Sequence, residues 1–389
     1  MIDRDLTPRL RKLAGQYPAV TLTGPRQSGK STLCRAVFGD HAYANLEVPD
    51  VRSFAQEDPR AFLGRFDGGV VLDEIQRAPE LTSYLQGLID ADPMPGRWVL
   101  TGSQNLTLLE SVSQSLAGRT AVGHLLPLAY SEVLRFDDPP ASAEQAVLTG
   151  GYPRIYDERL DPTEWLAFYI ATYIERDVRM ITNVGDLTTF QRFVELCAGR
   201  TAQLLNLSQL GSDCGISQPT AKAWLSVLEA SFLVFRLRAF SGNLRKRLVK
   251  MPKLHFIDTG LACRLLGIRT VEQLRTHPLR GALFETWVVS EILKHRFNAG
   301  EAGGLYHYRD RRGAEVDLVI EHPDRWTLVE AKASQTPGAG LLEGIGPVRD
   351  LLAAHRSVET IVAYAGDMLQ HRSGAVLIPW RALHERMWL

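Results

Sequence analysis

The feature that most constrains this chain is a nine-residue segment rich in glycine and hydroxyl side chains, GPRQSGKST at residues 24–32. Gly24, Gly29, Lys30 and Ser31 fit the phosphate-loop spacing G-x-x-x-x-G-K-[ST], which is informative when a strand precedes it and a helix follows. The β-branched run AVTLT precedes the segment, and KSTLCRAVF follows with apolar residues at helical spacing. We therefore predict a strand, an anion-binding loop and a helix in succession.

The chemistry of this loop suits the phosphates of a nucleotide. Inward-turned backbone N–H groups and the partial positive charge of a helix N-terminus attract the anion. We expect Lys30 to reach the outer phosphates and Ser31 to ligate magnesium, which makes ATP and Mg2+ the predicted cofactors. A glycine-rich turn with an incidental lysine is the alternative. The predicted nucleotide-binding residues of the loop are Gly24, Pro25, Arg26, Gln27, Ser28, Gly29, Lys30, Ser31 and Thr32.

A pair of acids follows a second buried run, in GGVVLDEIQ. Asp73 and Glu74 come at the carboxyl end of the strand VVL, where open parallel sheets bind their ligands. We predict that Asp73 binds the magnesium ion and that Glu74 is the catalytic base that orients and deprotonates the attacking water. The alternative is that the pair only caps the helix beginning near Pro79.

A third strand, RWVLTGSQN, also ends in polar residues. Ser103, Gln104 or Asn105 is placed to sense the γ-phosphate or the water, although small polar residues also simply close strands. Arg119, in SLAGRT, is a predicted phosphate contact. It acts either in its own subunit or across an interface as an arginine finger, which would require a homo-oligomer.

In this order, GPRQSGKS, VVLDEIQRAP, VLTGSQN, SLAGR and LLPLAYSEVL resemble the AAA-type ATPases of bacteria and archaea that carry a conserved C-terminal domain of unknown function. Three later blocks are similar to that family as well: GGYP at 150–153, TYIERDV at 172–178 and KLHFIDTGL at 253–261. The resemblance implies an ATP-binding domain of doubly wound α/β type. It names no substrate.

Charge and cysteine usage bound the remaining possibilities. Lys plus Arg equal Asp plus Glu at 44 each, so any nucleic-acid surface must be local. The cysteines are scattered without a CxxC pair, which argues against a zinc site or a disulfide framework. Neither an apolar leader at the N-terminus nor an apolar run of membrane-spanning length is seen, so we expect a cytoplasmic protein with reduced, buried thiols.

The middle of the chain has the layout of a winged helix-turn-helix. LSQLGSDCG predicts a helix and a glycine turn, SQPTAKAWLSVLEAS a second helix, and FLVFRLRAF a strand. In such a module the second helix enters the major groove of DNA, so Ser217, Gln218, Thr220 and Lys222 are the predicted DNA contacts. Because the helix holds so few cations, contact with a protein partner is an equal alternative.

Residues 236–253 hold seven cations and no acid. We predict a phosphate-binding wing that includes Arg245, Lys246 and Arg247, whereas the plainer alternative is a solvated charged face.

The C-terminal part combines a helix, GALFETWVVSEILKHRF, with the strands GLYHYR, AEVDLVIE and WTLVEAKAS. Asp317 on one strand and Glu330-x-Lys332 on the next resemble the restriction-endonuclease-like core, written PD-(D/E)xK, except that Val316 replaces the usual proline. The resemblance implies that Asp317 and Glu330 bind Mg2+ or Mn2+ and that Lys332 steadies the hydroxide. Glu285 would complete this catalytic set, as in the Holliday-junction-resolvase branch.

Exposed E-x-K pairs also occur in ordinary strands. A protein can also keep the nuclease-like fold and bind its ligand after it has lost cleavage activity. Just upstream, YRDRRG offers Arg311 and Arg312 as contacts to the DNA backbone.

The predicted fold is therefore α/β. It has a P-loop ATPase domain at 1–135, a helical connector at 136–190, a winged-helix-like module at 191–250 and a nuclease-like domain at 251–389. We expect an ATP-hydrolysing protein that binds or acts on DNA, with metal-dependent nuclease activity at the C-terminal site. The alternative is a regulatory ATPase whose C-terminal half binds DNA or protein without cleavage, as in a toxin–antitoxin or defence system.

Overall fold

The computed structural model describes residues 2–103, 115–174, 186–240, 250–336, 338, 342, 344–372 and 374–389. The chain divides into two compact units. Unit 1 comprises residues 1–128, 230–232 and 296–301, and unit 2 comprises residues 129–229, 233–295 and 302–389. The roles predicted for Gln104, Asn105, Arg245, Lys246 and Arg247 fall outside the described residues.

Unit 1 alternates strands and helices, as the loop motif and the later apolar runs predict. Its helices are α1 (Thr7–Ala14), α2 (Lys30–Val37), α3 (Pro49–Glu57), α4 (Pro59–Leu63) and α5 (Leu81–Ala91). Its strands are β1 (Ala19–Thr23), β2 (Ala42–Asn45), β3 (Val70–Asp73), β4 (Trp98–Gly102) and β5 (Thr120–His124).

Within the described residues these strands form one parallel sheet in the order β2-β3-β4-β1-β5. All five residues of β1 are buried, and β1 lies between β4 and β5, which confirms that AVTLT is not an edge strand. Because the strands are parallel, the segments that follow β1, β3 and β4 leave the sheet at the same edge. That edge carries the predicted nucleotide site.

Unit 2 begins with short helices, which confirms the helix-rich character predicted for this part of the chain. The helices that lie wholly or mostly in unit 2 are α6 (Tyr130–Val133), α7 (Ala143–Thr149), α8 (Pro153–Asp157), α9 (Pro162–Tyr169), α10 (Leu187–Ala198), α11 (Leu207–Cys214), α12 (Gln218–Ala230), α13 (Thr259–Leu265), α14 (Val271–Thr276), α15 (Arg280–Ala299) and α16 (Gly346–Ala353). A π-helical turn spans Ile170–Ile174, and 3-10 turns span Ile75–Arg77 and Trp380–Glu385.

The strands of unit 2 join one mixed sheet. They are β6 (Gln203–Leu204), β7 (Val234–Ala239), β8 (Lys253–Phe256), β9 (Leu305–Arg309), β10 (Glu315–Glu321), β11 (Arg325–Lys332), β12 (Ser357–Tyr364), β13 (Gln370–Arg372) and β14 (Ala375–Pro379). Among the described residues their order is β13-β14-β12-β11-β10-β9-β7-β8-β6. This placement brings β8, β10 and β11 into one sheet, although β8 lies far from the other two in the chain.

The C-terminal strands follow a fixed sequence of connections. β10 pairs antiparallel with both β9 and β11, and β11 is followed by α16 and by β12, which runs parallel to β11. The predicted strands GLYHYR, AEVDLVIE and WTLVEAKAS are confirmed as β9, β10 and β11.

The helix α15 differs from expectation. The spacing of its apolar residues predicts an amphipathic helix, with Leu283, Trp287 and Ile292 on or near its buried side. Those residues are buried, but so are Phe284 and Val289 on other faces. A helix that is covered on nearly all sides need not have a polar stripe.

The sequence predicts domain boundaries at residues 135, 190 and 250. The pairing of β7 with β9 carries one sheet across the last of these boundaries. The division of residues 136–389 into three modules stays a prediction.

The cysteines behave as the sequence predicts, since Cys34, Cys197, Cys214 and Cys263 are buried free thiols. Over the described ranges, no helix combines the length and apolarity that crossing a membrane requires.

Candidate functional site

The phosphate loop connects β1 to α2 at the carboxyl edge of the parallel sheet. Gly24 opens it with a φ of 154°, and a Cβ at this position would lie 2.1 Å from the carbonyl oxygen of Leu125, so only glycine fits. The ammonium of Lys30 donates to the carbonyl oxygens of Gly24 at 2.9 Å and Pro25 at 2.8 Å. Burial lowers the pKa of Lys30 to about 8, although the charges of Glu74 and Asp73 oppose the shift. These contacts hold the lysine within the loop.

The loop fits an anionic ligand. Gly29 enters α2 with a φ of 92°, which turns the loop into the helix N-terminus. The hydroxyl of Ser28 is fully buried and has no hydrogen-bond partner among the described residues. An orphaned hydroxyl and the N-terminus of an eight-residue helix at one point are what a phosphate group would satisfy.

Arg4 supports this loop, and sequence reasoning missed it. Its buried guanidinium donates to the carbonyl oxygens of Ser28 at 2.7 Å and Leu126 at 2.9 Å. The contacts tie the loop to the segment that follows β5. An arginine at residue 4 has no motif around it, so only the tertiary structure could reveal the contact.

Asp73 ends β3 and is held on both oxygens. Thr101 of β4 donates to Oδ1, and Tyr43 of β2 donates to Oδ2. Its side chain is therefore fixed by the neighbouring strands on each side. Both donors are neutral hydroxyls, and a carboxylate has further lone pairs, so the fixed side chain can still hold a metal ion with a nucleotide.

Glu74 follows directly in the left-handed conformation, with a φ of 59°. Its Oε2 atom accepts a hydrogen bond from the Ser103 hydroxyl at 3.1 Å, and the Gln76 amide donates to the same oxygen. The backbone conformation is unusual for a residue other than glycine and is typical of functional positions. Ser103, predicted as a phosphate sensor, thus contacts the predicted base.

Arg119 lies at the amino ends of the parallel strands, whereas the phosphate loop lies at their carboxyl ends. Its carbonyl oxygen accepts from the backbone N–H of Ala19, the first residue of β1, whereas the phosphate loop follows the last residue of that strand. The guanidinium is bound to Asp90, with distances of 2.6 and 2.8 Å. This position argues against the predicted contact with phosphates in the same subunit. A role across a subunit interface stays a prediction.

A second polar site lies in unit 2, where three carboxylates contact one buried lysine and a fourth, that of Glu330, lies beside Asp317. We call the side chains Glu285, Glu315, Asp317 and Glu330 the acidic cluster. The Lys253 ammonium lies 2.8 Å from Glu285, 2.9 Å from Glu315 and 3.2 Å from Asp317.

The strand registers explain how these groups meet. Glu315 and Asp317 are two residues apart on β10 and therefore share a face. Leu318 of β10 pairs with Val329 of β11, which brings Asp317 beside Glu330. The second carboxylate oxygen of Asp317 accepts from the backbone N–H of Ala331 at 3.0 Å.

In the sequence, Lys253 is the last cation of the basic run at 236–253. Instead its side chain is 2% exposed and lies inside the acidic cluster. Burial alone would lower the pKa of this lysine, but the charges of Glu285, Asp317 and Glu315 outweigh that effect and raise it. Sequence reasoning missed the contact because β8 and β10 are far apart in the chain.

The predicted Glu330-x-Lys332 pair is formed, since the Lys332 ammonium lies 2.7 Å from Glu330. Burial, aided by the charge of Asp317, raises the pKa of Glu330 to about 7. Burial also raises the pKa of Glu285 well above its usual range. Asp317 and Glu330, assigned from sequence to a metal ion, thus have lysine partners in the structure.

The predicted recognition helix is α12. Ser217, Gln218 and Lys222 are exposed near its N-terminal end, and Thr220 is half-buried. Ser217 and Thr220 also bind each other, with 2.8 Å between their hydroxyls, and the Thr220 backbone N–H donates to Ser217. The Ser217 side chain therefore caps the helix, and the Thr220 hydroxyl binds the capping residue.

The turn between β9 and β10 carries the other predicted DNA contacts. Arg311 and Arg312 are exposed there, followed by Gly313 with a φ of 94°. Asp310 accepts from the backbone N–H groups of Arg312 and Ala314, which shapes the turn. The two guanidinium groups are left at the surface.

Comparison with family profiles divides the chain into three matched segments. Residues 16–134 match the AAA domain family, residues 141–272 match a domain of unknown function (DUF8612), and residues 280–383 match another domain of unknown function (DUF4143). The first segment is therefore an AAA-type P-loop ATPase domain. The predicted resemblance to AAA-type ATPases is confirmed.

The relatives include uncharacterized proteins of Mycobacterium tuberculosis (Rv2008c) and Mycobacterium bovis (Mb2031c), each 32% identical over 86% of this chain and 74% of the relative. Among solved structures, the Walker-type ATPase PABY2304 of Pyrococcus abyssi is 17% identical, with a TM-score of 0.47, over 68% of this chain and 96% of that one. By the extent of its match to the mycobacterial proteins, the chain belongs to the same family as the uncharacterized protein Rv2008c.

Proposed function

We propose that the protein is an ATP-hydrolysing switch whose unit 2 binds DNA without cutting it. The observation that carries the ATPase part is the convergence of Lys30, Asp73 and Glu74 at one sheet edge, where both acids contribute to the electrostatic environment of the lysine. A P-loop lysine and two acids at the ends of parallel strands match the requirements of phosphoryl transfer to water.

Each residue has a distinct task in this proposal. Ser31 and Asp73 would hold Mg2+, which neutralises phosphate charge when it is bound with ATP. Lys30 binds the outer phosphates, and Glu74 orients the attacking water and accepts its proton. Ser103 fixes the Glu74 carboxylate through the 3.1 Å hydrogen bond.

The DNA part rests on the layout around α12. In the chain, β6 lies between α10 and α11, and α12 and β7 follow; β6 pairs with β8, and β8 pairs with β7. This order supports a winged-helix-like module, in which the exposed end of α12 would enter the major groove. Arg311 and Arg312 add two exposed cations that suit phosphate contacts.

Metal-dependent DNA cleavage is the second candidate function. It is favoured by the order α15, β9, β10, β11, α16 and β12, which is similar to the predicted nuclease-like core, and by the Glu330–Lys332 pair. The contact of Asp317 with Lys253, which lies outside the predicted nuclease-like pattern, favours binding over cutting.

Two measurements test the proposal. ATP turnover by the wild-type chain should be lost in Lys30→Ala, and full turnover in that variant would contradict the nucleotide assignment.

DNA retention by the Arg311→Ala/Arg312→Ala double variant should fall at least tenfold, because two phosphate contacts are removed. The matched control is Arg269→Ala/Arg275→Ala, which removes the same charge from two other exposed positions of unit 2. Equal retention by both double variants would overturn the proposed DNA surface.

Incubation with linear, nicked, branched and single-stranded DNA in Mg2+ or Mn2+ separates the two candidates. Retention without cleavage is expected. Cleavage that disappears in Asp317→Ala would establish the nuclease instead.

A further inference from the structure

A divalent metal centre needs several oxygen atoms that converge on one point and are free to bind the ion. The acidic cluster does not offer such a set. Asp317 gives one oxygen to Lys253 and the other to the backbone N–H of Ala331. Glu285 gives an oxygen to Lys253, and Glu330 gives one to Lys332. In the part of the chain that the structure describes, no group of three or more His, Cys, Asp or Glu residues could hold a metal ion.

We propose that the Lys253 ammonium is the resident cation of this site and stands where a divalent ion would otherwise bind. An ammonium group has three N–H donors and no acceptor. Lys253 has a carboxylate of Glu285, Glu315 and Asp317 within 3.2 Å, so the number of acceptors matches the number of donors. The cluster is a lysine-centred ion cage.

Burial makes this arrangement hard to displace. The Lys253 side chain is 2% exposed, and those of Glu285 and Asp317 are 13% and 12% exposed. A lysine is rarely buried to this extent unless carboxylates pair with it. Movement of the lysine out of the cage would leave buried carboxylates without a partner, whereas a divalent ion that entered beside it would be repelled by the ammonium.

The cage gives a physical reason for the non-cleaving role proposed above, and it deepens that proposal. It joins β8, β10 and α15 through one side chain, and it removes the metal on which hydrolysis by such a fold would depend. Its metal test does not depend on DNA binding, so the two can fail separately.

The test is Mn2+ binding by the nucleotide-free full chain, measured by calorimetry and by electron paramagnetic resonance. Wild type and Asp317→Asn should bind Mn2+ equally, since no ion is held by the cluster. Lys253→Met, which keeps the length of the side chain and removes its charge, should bind one more Mn2+ ion than wild type. Adding Asp317→Asn to Lys253→Met should remove that ion. Mn2+ should also raise the Tm of Lys253→Met by several degrees while leaving that of wild type unchanged.

Two results would overturn the inference. One is Mn2+ binding by wild type that Asp317→Asn abolishes, because the site would then hold metal in the presence of its lysine. The other is a folded Lys253→Met chain that binds no additional ion. Where Lys253→Met does not fold, the comparison of wild type with Asp317→Asn and with Glu330→Gln decides alone, and equal Mn2+ binding by all three supports the cage.

Discussion

The hydroxyl of Ser103 lies 3.1 Å from the Oε2 atom of Glu74 and joins the ends of two neighbouring strands, β4 and β3. The amide of Gln76 donates to the same oxygen. The proposed base is therefore aimed by groups outside its own strand. Its orientation depends on residues that do not have to touch the nucleotide themselves.

Changing Glu74 and Ser103 should separate chemistry from binding. Glu74→Gln should lower the kcat for ATP hydrolysis by roughly 100-fold or more, because the proton acceptor is lost, and should leave ATP affinity nearly unchanged. Ser103→Ala should lower kcat by about tenfold, the value of one hydrogen bond to a charged group. Steady-state turnover and equilibrium nucleotide binding check both.

The matched control for Ser103→Ala is Ser53→Ala, which removes an exposed serine–glutamate hydrogen bond of 2.7 Å elsewhere in unit 1. It should not change kcat. A Ser103→Ala chain with wild-type turnover would mean that the hydroxyl does not position Glu74.

The local sequence pattern was sufficient to predict this site because each of its parts is a short continuous segment of the chain. The loop at 24–32 and the acids after VVL are short segments, and the parallel sheet brings their strand ends to one edge. The hydrogen-bond partners of the site residues depend on strand pairing, which the pattern does not predict. Asp73 is held by Tyr43 and Thr101 from two other strands, and no spacing in the sequence indicates those partners.

Arg4 should control both stability and nucleotide binding. Arg4→Ala would leave the carbonyl oxygens of Ser28 and Leu126 without their buried donor, so the free energy of unfolding should fall by about 2–3 kcal/mol. ATP affinity should fall as the loop loses its support. Urea unfolding and nucleotide titration measure the two effects. Arg11→Ala, at an exposed position of α1, is the control and should change neither quantity. Equal stability of the two variants would show that Arg4 does not brace the loop.

His307 should make stability depend on pH. Its Nε2–H donates to the carbonyl oxygen of Met251 at 2.9 Å, and its Nδ1 atom is buried without a hydrogen-bond partner in the described part of the chain. Burial, aided by the charge of Lys253 and opposed by the Met251 hydrogen bond, lowers its pKa to about 4.

The sign of the effect follows from proton binding. Between pH 6.5 and 4 the unfolded chain protonates this histidine and the folded chain does not, so acid favours unfolding. Wild type should therefore lose about 2 kcal/mol more than His307→Gln when the pH falls from 7 to 5. Urea unfolding of both chains at the two pH values measures the difference. A pH dependence that is identical in the variant would assign the effect to other groups.

Long-range pairing also limited what the sequence could predict for unit 2. The spacing of Glu330 and Lys332 correctly predicted their contact, because side chains two apart on a strand share a face. Lys253 stood in a run of cations, and a run of cations predicts a solvated or phosphate-binding surface. Its burial among carboxylates depends on β7 pairing with both β8 and β9, which places β8 near β10.

The block KLHFIDTGL should be essential for folding, because its aspartate caps buried backbone. Asp258 is 2% exposed, and its carboxylate accepts from the backbone N–H groups of Gly151 at 2.7 Å and Leu261 at 2.9 Å. Asp258→Ala would leave both donors unpaired in the interior, so the free energy of unfolding should fall by about 3 kcal/mol or more. Asp258→Asn keeps one oxygen acceptor and should lower the free energy of unfolding by less.

The matched control is Asp186→Ala. Asp186 caps α10 in the same way at an exposed position, with 3.1 Å to the backbone N–H of Thr189, so its loss should cost about 1 kcal/mol. Urea unfolding of the three variants gives the comparison, and equal costs for Asp258→Ala and Asp186→Ala would show that the buried contacts add nothing beyond an ordinary helix cap.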